Sequence, residues 1–239
     1  MSIIIQNLTL GYQEKILAKE LNLNLRPGEL VSLIGPNGVG KSTLFKTILG
    51  LQQKIAGNIL VNDRLLESYD RLELARTVSM LLTDKIEIDY IKVPELIELG
   101  AFPHQNLNSE KGRKDFDHRL QDMKDFFGLG YLWQDYYNEL SDGQKQRVLL
   151  ARAAMQSMEH LILDEPTTYL DIKGKRELFK LLKRITLEKN GAVLLSTHDL
   201  DLAFEYSSKI WVMSCDGGIV EGSPNEIKSS GLINEVFGL

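Results

Sequence analysis

Hydrophobic and polar residues along the chain follow two main periodicities. Short runs made almost entirely of apolar residues occur at 30–34, 160–163, 192–196 and 209–213. Runs of this kind are typical of strands that are buried on both faces of a parallel sheet. Between them, apolar residues recur at helical spacing, at 42–49, 143–155 and 173–189. Strands that alternate with helices predict an α/β fold whose crossovers are right-handed.

Two stretches depart from this rhythm. Near the start, apolar and polar residues alternate, as in antiparallel strands with one face in water, at 3–12, 20–25 and 57–62. From about residue 84 to 138 the chain has helical patterns at 93–100 and 110–127 and no good strand. The sequence therefore predicts a small antiparallel β layer beside the main sheet and a helical subdomain inserted into the core.

These patterns also predict how the chain is divided. We expect one domain over residues 1–239, long enough to bury a sizeable core. Residues 1–83 and 157–239 would form the core with its β layer, and residues 84–156 would form the helical subdomain.

Composition excludes several classes of protein. Hydrophobic residues make up 43% of the chain and charged residues 26%, as in ordinary globular proteins and unlike disordered chains. The formal net charge is 28 − 33 = −5, so the basic surface typical of nucleic-acid binding is not expected. A single cysteine, Cys215, excludes a disulfide within the chain and favours a reducing compartment. The sequence predicts neither a signal peptide nor a membrane-spanning segment.

Residues 35–42, Gly-Pro-Asn-Gly-Val-Gly-Lys-Ser, fit the phosphate-loop pattern G-x-x-x-x-G-K-[ST]. The motif follows one apolar run and precedes a helical pattern, which is the context that such a loop requires. Glycines let backbone N–H groups cradle phosphate oxygens, and the helix N-terminus adds the positive end of its dipole. The predicted ATP-binding residues are Gly35, Pro36, Asn37, Gly38, Val39, Gly40, Lys41, Ser42 and Thr43. Among these, Lys41 would reach the β- and γ-phosphates, and the Ser42 hydroxyl would bind Mg²⁺.

Two adjacent acids follow the apolar run 160–163. Asp164 is placed to hold magnesium directly or through water, and Glu165 is placed to activate the attacking water as a general base. The alternative is that both carboxylates face solvent at the end of a strand. The phosphate loop makes the catalytic interpretation the stronger one, with ATP and Mg²⁺ as the implied cofactors.

Residues 140–144, Leu-Ser-Asp-Gly-Gln, resemble the signature of the ATPase subunits of ATP-binding cassette (ABC) transporters. That signature is normally Leu-Ser-Gly-Gly-Gln, so Asp142 replaces its first glycine. The resemblance covers essentially the whole chain and implies a P-loop NTPase (RecA-like) core. Ser141 is a natural N-cap, and its hydroxyl, the amide of Gly143 and the helix dipole form a second anion site. The resemblance implies that Ser141, Gly143 and Gln144 bind ATP.

Further positions follow the same family pattern. Tyr12 resembles the aromatic residue that stacks on adenine, with a core strand tyrosine as the alternative. The run 168–171 resembles the loop that links two active sites, and His198 resembles the histidine that contacts the γ-phosphate. The resemblance implies a head-to-tail homodimer in which each ATP lies between the phosphate loop of one subunit and the signature of the other.

The segment 93–104 is similar to that of importer ATPases for iron–siderophore complexes, haem and vitamin B12, with Ala101 replacing an arginine. The end of the chain, 222–239, also suits that group. The resemblance implies integral membrane permease partners, a periplasmic or surface binding protein that acts indirectly, and a place on the cytoplasmic face of the membrane. An iron complex is favoured over cobalamin.

One departure from the family concerns the magnesium site. Thr83 falls where the family has a glutamine that helps to bind magnesium and senses the permease. We therefore expect weaker magnesium coordination or altered coupling to the permease. Two alternatives stay open on the sequence alone: an ABC-type ATPase with a soluble, non-transport role, and a weakly catalytic nucleotide-binding module suggested by Thr83 and Asp142.

Overall fold

The computed structural model describes residues 1–12, 15–82, 88–104 and 110–238, apart from the side chain of Lys111. The strands in these residues are β1 (Ile3–Tyr12), β2 (Lys15–Leu25), β3 (Leu30–Ile34), β4 (Ala56–Val61), β5 (Arg64–Leu65), β6 (Val78–Leu81), β7 (His160–Leu163), β8 (Ala192–Ser196), β9 (Lys209–Met213) and β10 (Ile219–Gly222). The α-helices are α1 (Lys41–Ile48), α2 (Arg71–Thr77), α3 (Val93–Glu98), α4 (Glu110–Phe126), α5 (Asp142–Gln156), α6 (Ile172–Lys189), α7 (Leu200–Tyr206), α8 (Pro224–Ser229) and α9 (Leu232–Phe237). Within this described part of the chain, the longest apolar helical stretch falls short of what a bilayer crossing requires.

The main sheet has the strand order β10-β9-β3-β8-β7-β6, and every pairing from β9 to β6 is parallel. The four strands formed by the apolar runs, β3, β7, β8 and β9, are buried on both faces, as the sequence predicts. Leu161 and Leu163 pack in one hydrophobic cluster with α5 and α6. Ile162, between them, packs in a second cluster with α1 and β1. The α/β prediction is therefore confirmed, and α1 and α5 lie on opposite faces of the sheet.

The antiparallel sheet has the order β2-β1-β4-β5 and covers the α1 face. Its β2 begins at Lys15, five residues before the predicted start at residue 20. The pairing of β1 with β2 contains irregularities between Ile5 and Leu8 and again up to Gly11. Each irregularity shifts the alternation of side chains, so the period of two is lost in the first half of β2.

The described residues between β6 and β7 form helices and 3₁₀ turns with one isolated β-bridge, from Lys92 to Tyr136. The helix predicted over 93–100 ends at Glu98 and continues as a 3₁₀ turn to His104. Its Gly100 packs against α5 so closely that a β-carbon there would lie 2.1 Å from the carbonyl oxygen of Arg152. The exact division into core and subdomain at 83/84 and 156/157 stays a prediction.

Some short elements carry no clear sequence pattern. The four residues of β10 are all exposed or half-buried, because it is the edge strand of the main sheet. Helix α2 contains no fully buried residue and is held by a capping box between Asp70 and Glu73. The helix α7 is likewise too short to show a period. Such elements depend on their place in the fold, which local sequence does not encode.

His160 begins β7 with a fully buried imidazole. Its Nε2 lies 3.2 Å from Oδ1 of Asn62, and that oxygen also accepts the Ser2 backbone N–H. An amide oxygen only accepts, so Nε2 carries the proton. The other ring nitrogen, Nδ1, is buried without a hydrogen-bond partner. Burial, with a smaller contribution from the charged chain N-terminus, lowers the pKa of His160 to about 4.

This buried imidazole predicts acid sensitivity. An unfolded histidine has a pKa of about 6.5, so between pH 6.5 and 4 the unfolded chain binds a proton that the folded chain does not. The free energy of unfolding should therefore fall as the pH falls, by about 2 kcal/mol between pH 7 and pH 5 from this group. Urea unfolding at the two pH values measures the difference.

In His160→Gln this part of the pH dependence should disappear. The control is His118→Gln, which alters an exposed histidine on α4 and should keep the full dependence. If the free energy of unfolding falls by the same amount between pH 7 and pH 5 in His160→Gln and in the parent protein, His160 is not the cause.

Candidate active site

The phosphate loop, residues 35–40, joins the end of β3 to the start of α1. Gly40 adopts a φ of 122° at the N-cap of α1, a conformation that side chains other than glycine rarely adopt. A β-carbon at Gly35 would lie 2.5 Å from the carbonyl oxygen of Met213 on β9. The two glycines are therefore required by backbone geometry and by close packing, respectively. Because the loop directly follows β3, it lies at the carboxyl edge of the parallel strands.

The lysine of the loop is buried and faces the loop itself. Lys41 Nζ donates to the carbonyl oxygens of Gly35 at 2.8 Å and Pro36 at 3.0 Å. Burial lowers the pKa of Lys41, while the negative charges of Glu165 and Asp164 act in the opposite direction. The phosphate loop and the two acids thus lie close enough to interact, as the sequence predicts.

The remaining phosphate-loop residues differ in exposure. Ser42 is exposed at the start of α1, whereas Thr43 is buried. Thr43 Oγ1 lies 3.1 Å from the hydroxyl of Tyr12 at the end of β1. Tyr12 is 47% exposed, so it is a surface residue and not the core tyrosine of the alternative interpretation. Tyr12 therefore sits beside the loop with a free ring surface.

The two acids follow β7 in different backbone conformations. Asp164 is buried, its backbone N–H donates to the carbonyl of Leu81, and its Oδ1 accepts the hydroxyl of Ser196 at 2.6 Å. Glu165 has a φ of 45°, in the left-handed region, and its backbone N–H donates to Ser196 Oγ at 2.8 Å. One serine side chain therefore contacts both acids. Nothing in the sequence motifs singles out Ser196; its one signal is a polar residue ending an apolar strand.

The candidate histidine contacts the candidate base directly. His198 Nε2 lies 2.8 Å from Oε1 of Glu165, and because a carboxylate only accepts, the imidazole donates. The Glu165 side chain is 28% exposed and that of His198 42%, so the pair lies at the surface of the site. The structure thus brings together the candidate base and the candidate histidine, which lie 33 residues apart in the sequence.

A second group of contacts holds the segment next to His198, and no sequence motif indicates it. Asp199 accepts from Thr167 Oγ1 at 2.6 Å and from Lys175 Nζ at 2.7 Å. Its own backbone N–H donates to Thr197 Oγ1. These bonds connect the loops after β7 and β8 with the first turn of α6.

The signature residues begin α5 in a capping box. The amide of Gln144 donates to Ser141 Oγ, and Gln144 Oε1 accepts the Ser141 amide at 2.9 Å. The N-cap prediction for Ser141 agrees with this geometry. Gly143 is exposed, and a β-carbon there would meet no atom within 4 Å. Because α5 and α1 cover opposite faces of the sheet, the signature and the phosphate loop of one chain belong to different surfaces.

The oxygen donors at the carboxyl edge suit a magnesium ion. The Ser42 hydroxyl and the Asp164 carboxylate are hard oxygen ligands, and nucleotide phosphates supply further oxygens in sites of this kind. In the described residues, no three side chains among His, Cys, Asp and Glu form a metal-binding group. Thr83, the third predicted ligand, lies outside the described residues.

Comparisons with known proteins show the family to which the chain belongs. The profile of the ABC transporter family matches residues 18–168. The ferric enterobactin transport ATP-binding protein FepC of Escherichia coli is 32% identical over 98% of this chain and 86% of its own length. The iron(3+)-hydroxamate import ATP-binding protein FhuC of Bacillus subtilis is 32% identical over 99% of this chain and 87% of its own. The solved structure of cbiO1 from Clostridium perfringens, part of the ABC transporter complex cbiONQ, superposes with a TM-score of 0.85 at 28% identity, covering 98% of this chain and 93% of that one.

A mixed α/β core with a phosphate loop, paired acids and a capped signature helix defines an ABC-type ATPase. The chain belongs to the ABC transporter family, and within it resembles the ATP-binding subunits of iron–siderophore systems. It binds and hydrolyses ATP.

Proposed function

We propose that this chain powers the import of an iron–siderophore complex through a separate membrane permease. The observation that carries the proposal is its match, over nearly the whole length, to two proteins whose names specify ferric enterobactin and iron(3+)-hydroxamate. The segment 93–104 supports it, because Leu99 and Phe102 there expose apolar side chains that a permease would cover. Such a subunit works on the cytoplasmic face of the membrane, where ATP is available. A periplasmic or surface binding protein would deliver the complex to the permease.

In this proposal, Lys41 exchanges the carbonyl oxygens of Gly35 and Pro36 for oxygens of the β- and γ-phosphates. The exchange is favourable because a phosphate carries negative charge, which neutral carbonyls do not. The loop amides and the positive end of α1 contribute further donors. The exposed ring of Tyr12 provides a stacking surface for adenine, and its hydroxyl is already held by Thr43.

Ser42 and Asp164 would hold the magnesium ion, with Thr83 as a further proposed ligand. When bound, Mg²⁺ neutralises charge on the β- and γ-phosphates. Glu165 then accepts a proton from the water whose oxygen attacks the γ-phosphorus. The bond from that phosphorus to the bridging oxygen breaks, and the electron pair leaves with ADP. His198 keeps its proton, and the hydrogen bond that its Nε2–H donates shifts from Glu165 to the γ-phosphate.

The signature would act on a second copy of the chain. Ser141, Gly143 and Gln144 lie at an exposed helix N-terminus, on the face of the sheet opposite to α1. The open space above Gly143 suits the approach of a phosphate group. We therefore propose a head-to-tail homodimer in which each ATP contacts the phosphate loop of one copy and the signature of the other.

The test is reconstitution with the natural partner. A tagged chain is purified from its own membranes, and the permease that co-purifies is placed with it in proteoliposomes. We expect ATP-dependent uptake of a ⁵⁵Fe-labelled hydroxamate or catecholate siderophore, measured against labelled cobalamin and haem. Transport of cobalamin or haem without iron–siderophore uptake would contradict the substrate class. Repeated failure of any membrane protein to co-purify would favour a non-transport ATPase.

A further inference from the structure

Ser196 joins the two acids of the active site through one hydroxyl group. It ends β8, is fully buried, and lies 32 residues along the chain from Asp164. Its Oγ–H donates to Asp164 Oδ1 at 2.6 Å, and the same oxygen accepts the backbone N–H of Glu165 at 2.8 Å. An ionised carboxylate only accepts and an amide N–H only donates, so the direction of both bonds is fixed. A hydroxyl group can donate one hydrogen bond and accept another, so a single serine can bind both partners at once.

The bond to Asp164 sets the orientation of the carboxylate. Because Oδ1 is held by Ser196, rotation of the carboxylate about its Cβ–Cγ bond would break a short, charge-assisted hydrogen bond. The orientation of Asp164 is therefore fixed before nucleotide binds. A metal ligand that is already oriented loses less conformational freedom when it binds the ion.

The bond to Glu165 stabilises an unusual backbone conformation. At φ 45°, Glu165 lies in the left-handed region, which is unfavourable for a residue with a side chain. Successive side chains of an extended strand point to opposite faces, so an extended backbone would direct the carboxylates of Asp164 and Glu165 apart. The anchored N–H holds the turned conformation in which Glu165 reaches His198.

We infer that Ser196 is a positioning residue for ATP hydrolysis, acting through Asp164 and Glu165 without touching the nucleotide. This inference rests on the roles proposed for those two acids. Loss of the hydroxyl removes the hydrogen bond that Ser196 donates to the Asp164 carboxylate and the one that it accepts from the Glu165 amide. Both changes disturb the geometry of hydrolysis, whereas the phosphate loop, which binds the nucleotide, keeps all its contacts.

The decisive comparison is between Ser196→Thr and Ser196→Val, because threonine and valine have the same shape and differ only in the hydroxyl. We expect the valine variant to hydrolyse ATP with a kcat about tenfold or more below that of the threonine variant, and with a KM for ATP within about threefold of it. The kcat and KM of Ser196→Ala should be similar to those of the valine variant. Any strain from the added methyl group is common to both members of the pair and cancels.

A second readout does not depend on turnover. The affinity for ADP is measured by titration calorimetry with and without Mg²⁺. We expect Mg²⁺ to improve ADP binding less in Ser196→Val than in Ser196→Thr, by about threefold, with metal-free ADP binding equal in the two variants.

The matched control is Ser79→Ala, which removes a fully buried serine hydroxyl from β6, two strands away from β8 in the same sheet, where it donates to the carbonyl of Ser157. It should lower the melting temperature by about as much as Ser196→Ala and leave kcat unchanged. Equal kcat values and equal Mg²⁺ effects in the Thr and Val variants would overturn the inference, as would an equal loss of kcat in Ser79→Ala. If Glu165→Gln keeps normal turnover, the proposed catalytic roles fail first, and the two failures are thereby distinguished.

Discussion

Replacing Glu165 by glutamine is expected to lower ATP hydrolysis by about a hundredfold or more while ATP still binds. Glutamine has the size of glutamate, and its Oε1 can still accept the His198 N–H that Glu165 Oε1 accepts at 2.8 Å. What glutamine lacks is the basic oxygen that takes a proton from the attacking water. The loss should therefore appear in kcat, with the melting temperature within about 2 °C of the parent protein.

Phosphate release in the permease complex measures this effect, and binding of a fluorescent ATP analogue shows that the site remains intact. The control is Glu235→Gln, an exposed glutamate on α9, which should change neither quantity. With hydrolysis blocked, ATP should stay bound, and dimers of the Glu165→Gln chain should therefore accumulate. Size-exclusion chromatography detects these dimers. Normal turnover in Glu165→Gln would mean that the base lies elsewhere.

The parts of this site that the sequence predicts are those encoded by consecutive residues. The phosphate loop needs glycines at fixed spacing because its backbone must turn within a few residues, as the φ of 122° at Gly40 shows. The buried strands are recognisable for a similar reason, since each is a short apolar run covered on both faces. The N-cap at Ser141 likewise depends on a residue only three positions away, Gln144.

What the sequence does not predict depends on residues that are distant along the chain. Ser196 acquires its role only because β7 and β8 are neighbours in the sheet, which places its hydroxyl between Asp164 and the Glu165 amide. The close approach of Gly100 to Arg152 on α5, just after the end of α3, likewise joins residues that are distant along the chain. Neither the strand order nor this packing distance appears in local composition or periodicity.

The arrangement of the main sheet explains why these residues converge. The phosphate loop, the paired acids and His198 follow β3, β7 and β8, which run parallel and therefore end at the same edge. The signature does not directly follow a strand of this sheet, because it begins α5, which precedes β7 in the chain. In the proposed mechanism the signature must nevertheless reach the phosphates, which requires either a large movement within the chain or a second chain, and the exposure of Gly143 is the reason for proposing the second.

Replacing Gly143 by leucine separates these possibilities. Within the chain a β-carbon at Gly143 meets nothing within 4 Å, so the fold has room for the side chain. Leucine also favours a helix over glycine by up to about 1 kcal/mol, so the variant should be at least as stable as the parent protein. ATP binding at the phosphate loop of a single copy should be unchanged.

Turnover, in contrast, should fall by about a hundredfold, because the leucine side chain fills the space into which the phosphates bound to the second copy must move. The ATP-dependent dimer of the Glu165→Gln chain should also disappear when Gly143→Leu is added, which analytical ultracentrifugation can measure. Gly130→Leu is the matched control: Gly130 is exposed too, and a β-carbon there would lie no nearer than 3.9 Å to Lys124. Normal turnover in Gly143→Leu would show that no second copy closes over the signature, and the head-to-tail dimer would have to be abandoned.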